Sequence, residues 1–462
     1  MATSPPRALF VPYPAQGHVL PLLELAHRFA DHGFAVTFVN TDHIHGHLVA
    51  ASPELAEQDG EVAPPGPGEV RLVSVPDGLP ADDDRHDLGT LTSALQTALP
   101  ASVAAMIAAG RFRCMVVDYG MTWLLGLAKD AGMRTAALWP SCAAVMAAGL
   151  TVPELIAAGM LQTNGLPTEK EIPPVGELQM KLAPLAWNAV GTAEAQKHIF
   201  GCLHTILGAL AMADQLLCNT VAELEEGVLS QHPDILPVGP LPTGLRRGKP
   251  VGNFWPEDGS CLPWLDAQPD RSVVYVAFGS IAVLDRRQFR ELARGLELSG
   301  RPFLWVVRPG LITAAAANDD DNTSFTEFLA GVEGRGKIVS WSPQHRVLAH
   351  RAVACFVTHC GWNSVMEGIR NGLPLLTWPY FADQFVNESY VCDVWKTGLR
   401  MDKDADGVVT GMHIASRLQE VLGNTEITSR ASKLQEVASR SVTEDDGTSF
   451  NNLTALIKGM KG

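Results

Sequence analysis

Short apolar runs alternate with helical patterns twice along this chain, and a cluster of prolines separates the two series. In the first series Ala8–Val11, Ala35–Val39, Val70–Val75, Cys114–Val117, Thr135–Leu138 and Gln215–Cys218 read as strands. Helical patterns fill the intervals near Val19–His32, Leu91–Ala109, Trp123–Ala131, Cys142–Ala158, Ala195–Ala213 and Val221–Ser230. This rhythm predicts a parallel sheet covered by helices on both faces. Pro237, Pro240, Pro242, Pro250, Pro256 and Pro263, with several glycines among them, then mark an extended linker. The rhythm restarts with strands at Val273–Phe278, Phe303–Val307, Lys337–Val339, Cys355–Thr358 and Leu375–Thr377. Its helices are expected at Arg286–Ser299, Trp362–Asn371, Gln384–Val394, His413–Val421 and Ser429–Ser441. The expected fold is α/β, with two doubly wound, Rossmann-like domains facing each other across a cleft. The first spans 1–240, a linker runs over 241–262, the second spans 263–445, and a last helix lies within 446–462.

Composition narrows the function. A chain of 462 residues is too long for one ordinary core, in keeping with two domains. Its net charge of −15 argues against nucleic acid, whose phosphates it would repel. An acidic protein that binds an anion must instead concentrate positive potential locally. The eight cysteines form no C-x-x-C pair and sit mostly in apolar runs, so buried free thiols in a reducing compartment are expected rather than disulfides or zinc ligands. The start, MATSPPRALFVPYP, lacks the pattern of a signal peptide, and no later apolar run reads as a membrane span. A cytoplasmic monomer without membrane insertion is the expectation.

In the second series, the apolar run ending at Thr358 meets His359, the small-residue turn Cys360-Gly361, and a helix opening at Trp362-Asn363-Ser364. A strand entering a helix through glycine offers free N–H groups and the positive end of the helix dipole. Side-chain donors from His359, Asn363 and Ser364 suit a diphosphate better than a carboxylate. Upstream, Trp341 offers a flat face for a base, beside the amide of Gln344. Glu367, four residues after Asn363 on the same helix, can accept from both hydroxyls of a ribose. Asp383 and Gln384 close the stretch with groups that suit a ring of sugar hydroxyls.

The first series contributes a base. After the first strand comes Pro12-Tyr13-Pro14-Ala15-Gln16-Gly17-His18, leading into a helix with Pro21 in its first turn. Moving a sugar to an alcohol or phenol requires removal of the acceptor proton, and imidazole titrates in the right range. Asp118 ends the strand Cys114–Val117 at the same sheet edge, where it can fix the His18 tautomer. It could equally cap the following helix. Ser141, after Trp139-Pro140, and Ser280, after Phe278-Gly279, could donate to a sugar hydroxyl or a phosphate, or cap helices. One base without a second nucleophilic carboxylate predicts a single displacement that inverts the anomeric carbon; Asp383, the one alternative nucleophile, reads better as a hydroxyl acceptor.

The stretch from Trp341 to Gln384 resembles the signature box of plant secondary-product glycosyltransferases, the UDP-dependent family acting on small molecules. Trp341, Gln344, His359, Gly361, Trp362, Asn363, Ser364, Glu367, Asp383 and Gln384 carry the match, and the resemblance extends from the Gln16-Gly17-His18 run to the carboxyl-terminal helices. It implies a GT-B type fold, with the last helix crossing back onto the first domain. It also implies that Trp341 stacks on uracil, Gln344 contacts the uridine, and Glu367 holds the ribose. His359, Asn363 and Ser364 would hold the phosphates, while Asp383 and Gln384 would bind the sugar. His18 is then the base and Asp118 its partner. Gln384 goes with glucose as the transferred sugar, and Trp362, where some glucuronosyl-transferring members carry Arg, points the same way. UDP-galactose and UDP-xylose remain alternative donors.

UDP-glucose would be a substrate, with no cofactor and no metal. Asp82-Asp83-Asp84 and Asp319-Asp320-Asp321 lie in polar loops rather than at strand ends, and the loop from Asp402 to Gly407 has His413 where a calcium loop needs Glu. Apolar candidates for the acceptor site are Met121, Met146, Trp187, Phe200, Trp378 and Phe381, together with Trp139 and the polar Ser141; a phenolic, a terpenoid alcohol or a hormone-like carboxylic acid would suit them. Two other classes find less support in the sequence. A dinucleotide-dependent oxidoreductase lacks support because Ala15-Gln16-Gly17-His18 stands where G-x-G-x-x-G would be needed. A silent UDP-sugar binder would not need both His18 and Asp118.

Overall fold

A computed structural model describes residues 5–51, 65–83, 85, 87–168, 172–178, 186–187, 189–190, 193–241, 245–246, 249–250, 254–312, 331–332, 334–443 and 446–461. Asp84, Pro242, Asp319-Asp320-Asp321, most of the loop expected over Gly60–Gly68 and all of Ala314–Ser324 lie outside these residues. The chain divides into two compact units, one formed by Met1–Pro256 with Ser439–Gly462, the other by Glu257–Ala438.

The first unit holds seven parallel strands: β1 (Arg7–Val11), β2 (Ala35–Thr41), β3 (Val70–Val75), β4 (Cys114–Asp118), β5 (Arg134–Trp139), β6 (Gln215–Cys218) and β7 (Ile235–Pro237). Their order is β3-β2-β1-β4-β5-β6-β7. Central strands β1, β2 and β4 are buried almost end to end, the consequence of helices covering both faces. An antiparallel ribbon, β8 (Leu245–Arg246) with β9 (Lys249–Pro250), follows in the proline-rich segment. The last helix, Thr448–Lys461, sends Leu456, Ile457 and Met460 into the same core as Phe10, Phe29 and Phe34. Asn452 also donates to the Pro237 carbonyl at 2.9 Å, tying that helix to β7.

The second unit repeats the design with β10 (Val273–Ala277), β11 (Phe303–Val306), β12 (Gly336–Val339), β13 (Val353–Thr358), β14 (Leu375–Thr377) and β15 (Gly398–Arg400), ordered β12-β11-β10-β13-β14-β15 and parallel throughout. Trp305, Phe303, Phe289 and Leu292 anchor its core. In each sheet the order reverses once, between β1 and β4 and between β10 and β13. At such switch points adjacent loops leave in opposite directions, and ligands of open α/β sheets bind there.

Several helices depart from the sequence reading for local reasons. The helix expected over Cys142–Ala158 is two, Ala143–Leu150 and Val152–Ala157, broken at Thr151 ahead of Pro153. After Asp118 the chain forms a 3-10 turn, Tyr119–Leu124, before the helix Leu125–Asp130. The first helix starts at Gln16, earlier than expected, which puts His18 in its first turn and Pro21 in its second. One expectation needs correcting. Leu88–Gly110 is long and apolar enough, by length and composition, to cross a membrane. Much of that hydropathy is alanine, and the face carrying Leu91, Leu95, Leu99 and Val103 is buried in the first unit.

Candidate active site

At the switch point of the first sheet, β1 ends in a turn that the helix Gln16–Asp31 continues, while β4 ends in Asp118. His18 Nδ1 lies 2.9 Å from Asp118 Oδ2. The carboxylate is fully buried, whereas the His18 side chain keeps 24% of its surface exposed. The other carboxylate oxygen, Oδ1, accepts from the Gly120 backbone N–H at 2.8 Å. Asp118 therefore caps the 3-10 turn with one oxygen and lies against His18 with the other. Tyr13 and Tyr119 flank the imidazole, with ring centroids 5.4 and 5.6 Å away. Tyr13 is fixed through its hydroxyl to Thr92 Oγ1 at 3.1 Å, and burial drives its pKa upward, so it is a neutral wall. A carboxylate held by a backbone donor and facing Nδ1 favours the tautomer with the proton on Nδ1, leaving Nε2 as the basic nitrogen.

The second sheet presents its candidates along one edge. Trp341 follows β12, Ser280 follows β10, His359 follows β13, and Asp383 and Gln384 come after β14. Between β13 and the helix Trp362–Arg370, Cys360 takes a left-handed conformation (φ 66°) and Gly361 is the N-cap, with no side chain capping the helix. Backbone N–H groups in the first turn of a helix are the donors an anion would use. Packing around His359 demands glycine on both sides. A Cβ on Gly361 would come within 2.5 Å of His359 Nε2, and a Cβ on Gly279 would do the same. Burial lowers the His359 pKa to about 4, a contact with the Ala277 backbone opposes this, and the charge of Arg308 adds to the depression. At neutral pH His359 is thus a neutral imidazole, able to give one hydrogen bond but no charge.

Gln344 sits inside a network that the sequence did not reveal. Its Nε2 donates to Glu367 Oε2 at 2.8 Å and lies 3.1 Å from Ser364 Oγ, while its Oε1 accepts from the Tyr275 hydroxyl at 3.1 Å. Tyr275 in turn meets Ser342 Oγ at 2.8 Å. The amide therefore sets the direction of the Glu367 carboxylate as well as occupying the turn after Trp341. Trp341 is only partly buried. Asn387 is a second unforeseen residue. Fully buried, its Nδ2 donates to the Cys360 carbonyl and to Asp383 Oδ2, both at 2.9 Å. One amide nitrogen thus links the turn before the helix to the carboxylate beyond β14. Gln384 Oε1 accepts from the backbone N–H of Tyr380 and Phe381 at 2.8 and 2.9 Å, which directs its NH₂ away from that loop. No sequence signal marks Tyr275, which looks like any strand aromatic; Asn387 is distinguishable only as a polar residue on the buried face of a helix.

Most acceptor candidates lie in the interior. Met121 and Met146 are buried in the first unit, and Trp139 is buried with its indole N–H donating to the Cys142 carbonyl. Trp187 and Phe200 are buried against each other, with centroids 6.0 Å apart. Trp378 packs edge-on against Phe278 in the second unit. Ser141 and Phe381 keep partial exposure. Burial is the ordinary state of large apolar side chains, whether they line a pocket or fill a core. Among the described residues no cluster of three His, Cys, Asp or Glu side chains could hold a metal ion. The Asp402–Gly407 segment is a turn in which Asp404 Oδ1 accepts from the Asp406 and Val408 N–H groups, and Thr410 caps the next helix.

Two doubly wound domains, one with an imidazole–carboxylate pair at its switch point and the other with a glycine-capped helix N-terminus and an aromatic–amide–carboxylate array, define a nucleotide-dependent group-transfer enzyme. Comparison with known proteins gives the family. The family described as UDP-glucoronosyl and UDP-glucosyl transferase matches residues 257–437. UDP-glycosyltransferase 83A1 of Arabidopsis thaliana is 36% identical over 473 aligned positions, covering 99% of this chain and 97% of its own. The crystal structure of Os79 from O. sativa in complex with UDP superposes with a TM-score of 0.78 at 28% identity, covering 98% of this chain and all of that one. The structure of Phytolacca americana UGT2, complexed with UDP-2fluoro-glucose and pterostilbene, gives 0.78 at 25% identity over 99% of this chain and all of that one. The chain belongs to the plant secondary-product UDP-glycosyltransferase family and has its GT-B type fold. It is a UDP-dependent glycosyltransferase that transfers sugar to small-molecule acceptors.

Proposed function

We propose that this enzyme transfers glucose from UDP-glucose to a hydroxyl or carboxyl group of a small lipophilic acceptor, with inversion at the anomeric carbon. The observation that carries the proposal is the 2.9 Å contact between His18 Nδ1 and a fully buried Asp118 whose second oxygen is already held by a backbone N–H. In this reading His18 Nε2 takes the acceptor proton as the acceptor oxygen attacks C1 of glucose. The bond from C1 to the β-phosphate oxygen breaks, and UDP leaves with the electron pair. The proton rests on the imidazole, and the buried Asp118 carboxylate stabilises the resulting cation. A carboxyl acceptor is already ionised at neutral pH, so there His18 would orient rather than deprotonate.

Negative charge grows on the diphosphate as the bond breaks. The N-terminus of the helix Trp362–Arg370, Ser280 and the neutral His359 N–H would stabilise it, so no metal is invoked. Trp341 would stack on uracil, Gln344 would contact the uridine, and Glu367 would accept from the ribose. Asp383 and the Gln384 amide would hold glucose hydroxyls. A second carboxylate acting as nucleophile is not needed, and Asp383 is already engaged with Asn387. We place the enzyme in the cytoplasm, a reading supported by eight cysteines that form no disulfide, and take it to be a monomer; burial raises the pKa of Cys114 and Cys355 to about 12 and keeps them protonated.

The test is incubation of the protein with UDP-glucose and a panel of phenols, terpenoid alcohols and lipophilic acids, with and without chelator, following product by mass. Glucosides are expected in both conditions from the wild type, and His18→Ala should lose at least about 10²-fold with alcohol acceptors. Undiminished turnover by that variant would remove His18 from the chemistry.

A further inference from the structure

Arg308 lies two residues past the end of β11, beside the turn that leaves β10. It is 7% exposed. All three of its hydrogen bonds among the described residues go to carbonyl oxygens: Nε donates to Gly279 O at 3.0 Å, Nη2 to Ala282 O at 2.5 Å, and Nη1 to Pro309 O at 3.0 Å. Among the described residues no carboxylate pairs with it. Burial pulls its pKa down, opposed by the Tyr380 phenol rather than by an acidic group. A buried guanidinium without a counter-charge is costly, and arginine stays protonated under such conditions. The cost is offset when an anion arrives nearby.

The local geometry says where. A trans peptide places its C=O and the following N–H on opposite sides, so turning the Gly279 and Ala282 carbonyls toward Arg308 turns the Ser280 and Val283 N–H groups away from it. The Ser280 N–H finds no partner among the described residues. Gly279 is also the residue that abuts the His359 ring, and the Arg308 charge is felt by that ring. From these placements we infer that Arg308 is a positioning residue for the nucleotide diphosphate: it braces the turn after β10 and supplies the buried positive charge that the diphosphate neutralises. The inference rests on the donor-site assignment made above and adds to it a cation that touches no substrate atom.

The experiment compares UDP with uridine, two ligands that share the base and ribose but differ in charge, by calorimetry on the full-length protein. Wild type, Arg308→Gln and Arg308→Lys are measured. A charge effect predicts that Arg308→Gln loses about tenfold or more in UDP affinity while its uridine affinity stays within about twofold, and that Arg308→Lys keeps the UDP-to-uridine preference within about threefold of wild type. A role confined to bracing the turn that carries Ser280 would instead weaken UDP in the Lys variant as much as in the Gln variant, since lysine keeps the charge but cannot span the same carbonyls. An unchanged preference in the Gln variant, or a tenfold loss of preference in the Lys variant, overturns the inference, and the Lys variant decides alone should the neutral one not fold. Failure of the wild type to bind UDP would instead remove the donor-site assignment and this inference with it.

Discussion

Asp118→Asn separates the electrostatic role of that side chain from its structural one. Asp118 Oδ1 accepts from the Gly120 N–H at 2.8 Å, and a backbone donor cannot reverse its sense. An asparagine must therefore keep its oxygen on Gly120 and present its NH₂ to His18. His18 Nδ1, 2.9 Å away in the wild type, then has to accept rather than donate. That moves the imidazole proton to Nε2, the nitrogen assigned to take the acceptor proton. Loss of a general base costs about 10²–10⁴-fold in rate, or about 2.7–5.5 kcal/mol of transition-state stabilisation. The cap on the turn Tyr119–Leu124 survives, so the fold should lose no more than about 1 kcal/mol. The assay is steady-state glucosylation of a phenol from UDP-glucose, paired with UDP titration by calorimetry. A fall in kcat within the stated range with unaltered UDP affinity is expected. A variant turning over within threefold of wild type would refute the tautomer argument.

Gly361→Ala places a methyl 2.5 Å from His359 Nε2, so the ring must move; UDP affinity should fall about tenfold or more and stability by about 1–3 kcal/mol, read by calorimetry and urea denaturation. Burial lowers the His359 pKa to about 4 from an ordinary value near 6.5, so the folded state binds fewer protons than the unfolded chain between those values. Its contribution is present above pH 6.5 and is lost as pH falls toward 4, by about 3 kcal/mol; His359→Gln should flatten that decline in pH-dependent urea midpoints, leaving the share owed to His345, which burial also lowers to about 4. Arg111 ends the helix Leu88–Gly110 in a left-handed conformation (φ 50°). Arg111→Gly relieves that strain at some cost in unfolded-chain entropy, and a gain of about 0.5–1 kcal/mol is expected from the urea midpoint.

The architecture was legible because parallel strands covered on both faces are largely apolar, and β1, β2, β4, β10 and β13 show that pattern, with polar residues mainly at strand ends and at Thr37 and Asn40 of β2. What stayed hidden was short or polar. Strands β7 and β15 have three residues each, β7 ends in a proline, and neither offers a period to read. The helix Asp42–Ala51 carries His43, His45 and His47 and gives only a weak apolar stripe. At the site, position in a strand-to-helix junction singled out His18, Asp118 and His359, because such junctions put side chains at the sheet edge whatever the rest of the fold does. The partners that aim them were not readable. Tyr275 reaches Gln344 across 69 positions and Arg308 reaches Gly279 across 29, and only folding brings those pairs together. Size and apolarity selected Met121, Met146, Trp187 and Phe200 for the acceptor site, but those same properties favour burial in any setting, so they do not separate a pocket wall from packing.

The stereochemistry of the product tests the single-displacement chemistry most directly. Anomeric configuration would be assigned by proton NMR on glucoside formed from α-linked UDP-glucose, sampled early enough to preclude re-equilibration. With His18 activating the acceptor and no covalent sugar–enzyme intermediate, a β-glucoside is expected throughout the time course. An α-glucoside would require a second displacement, put a nucleophilic carboxylate beneath the sugar, and contradict the role assigned to the His18–Asp118 pair.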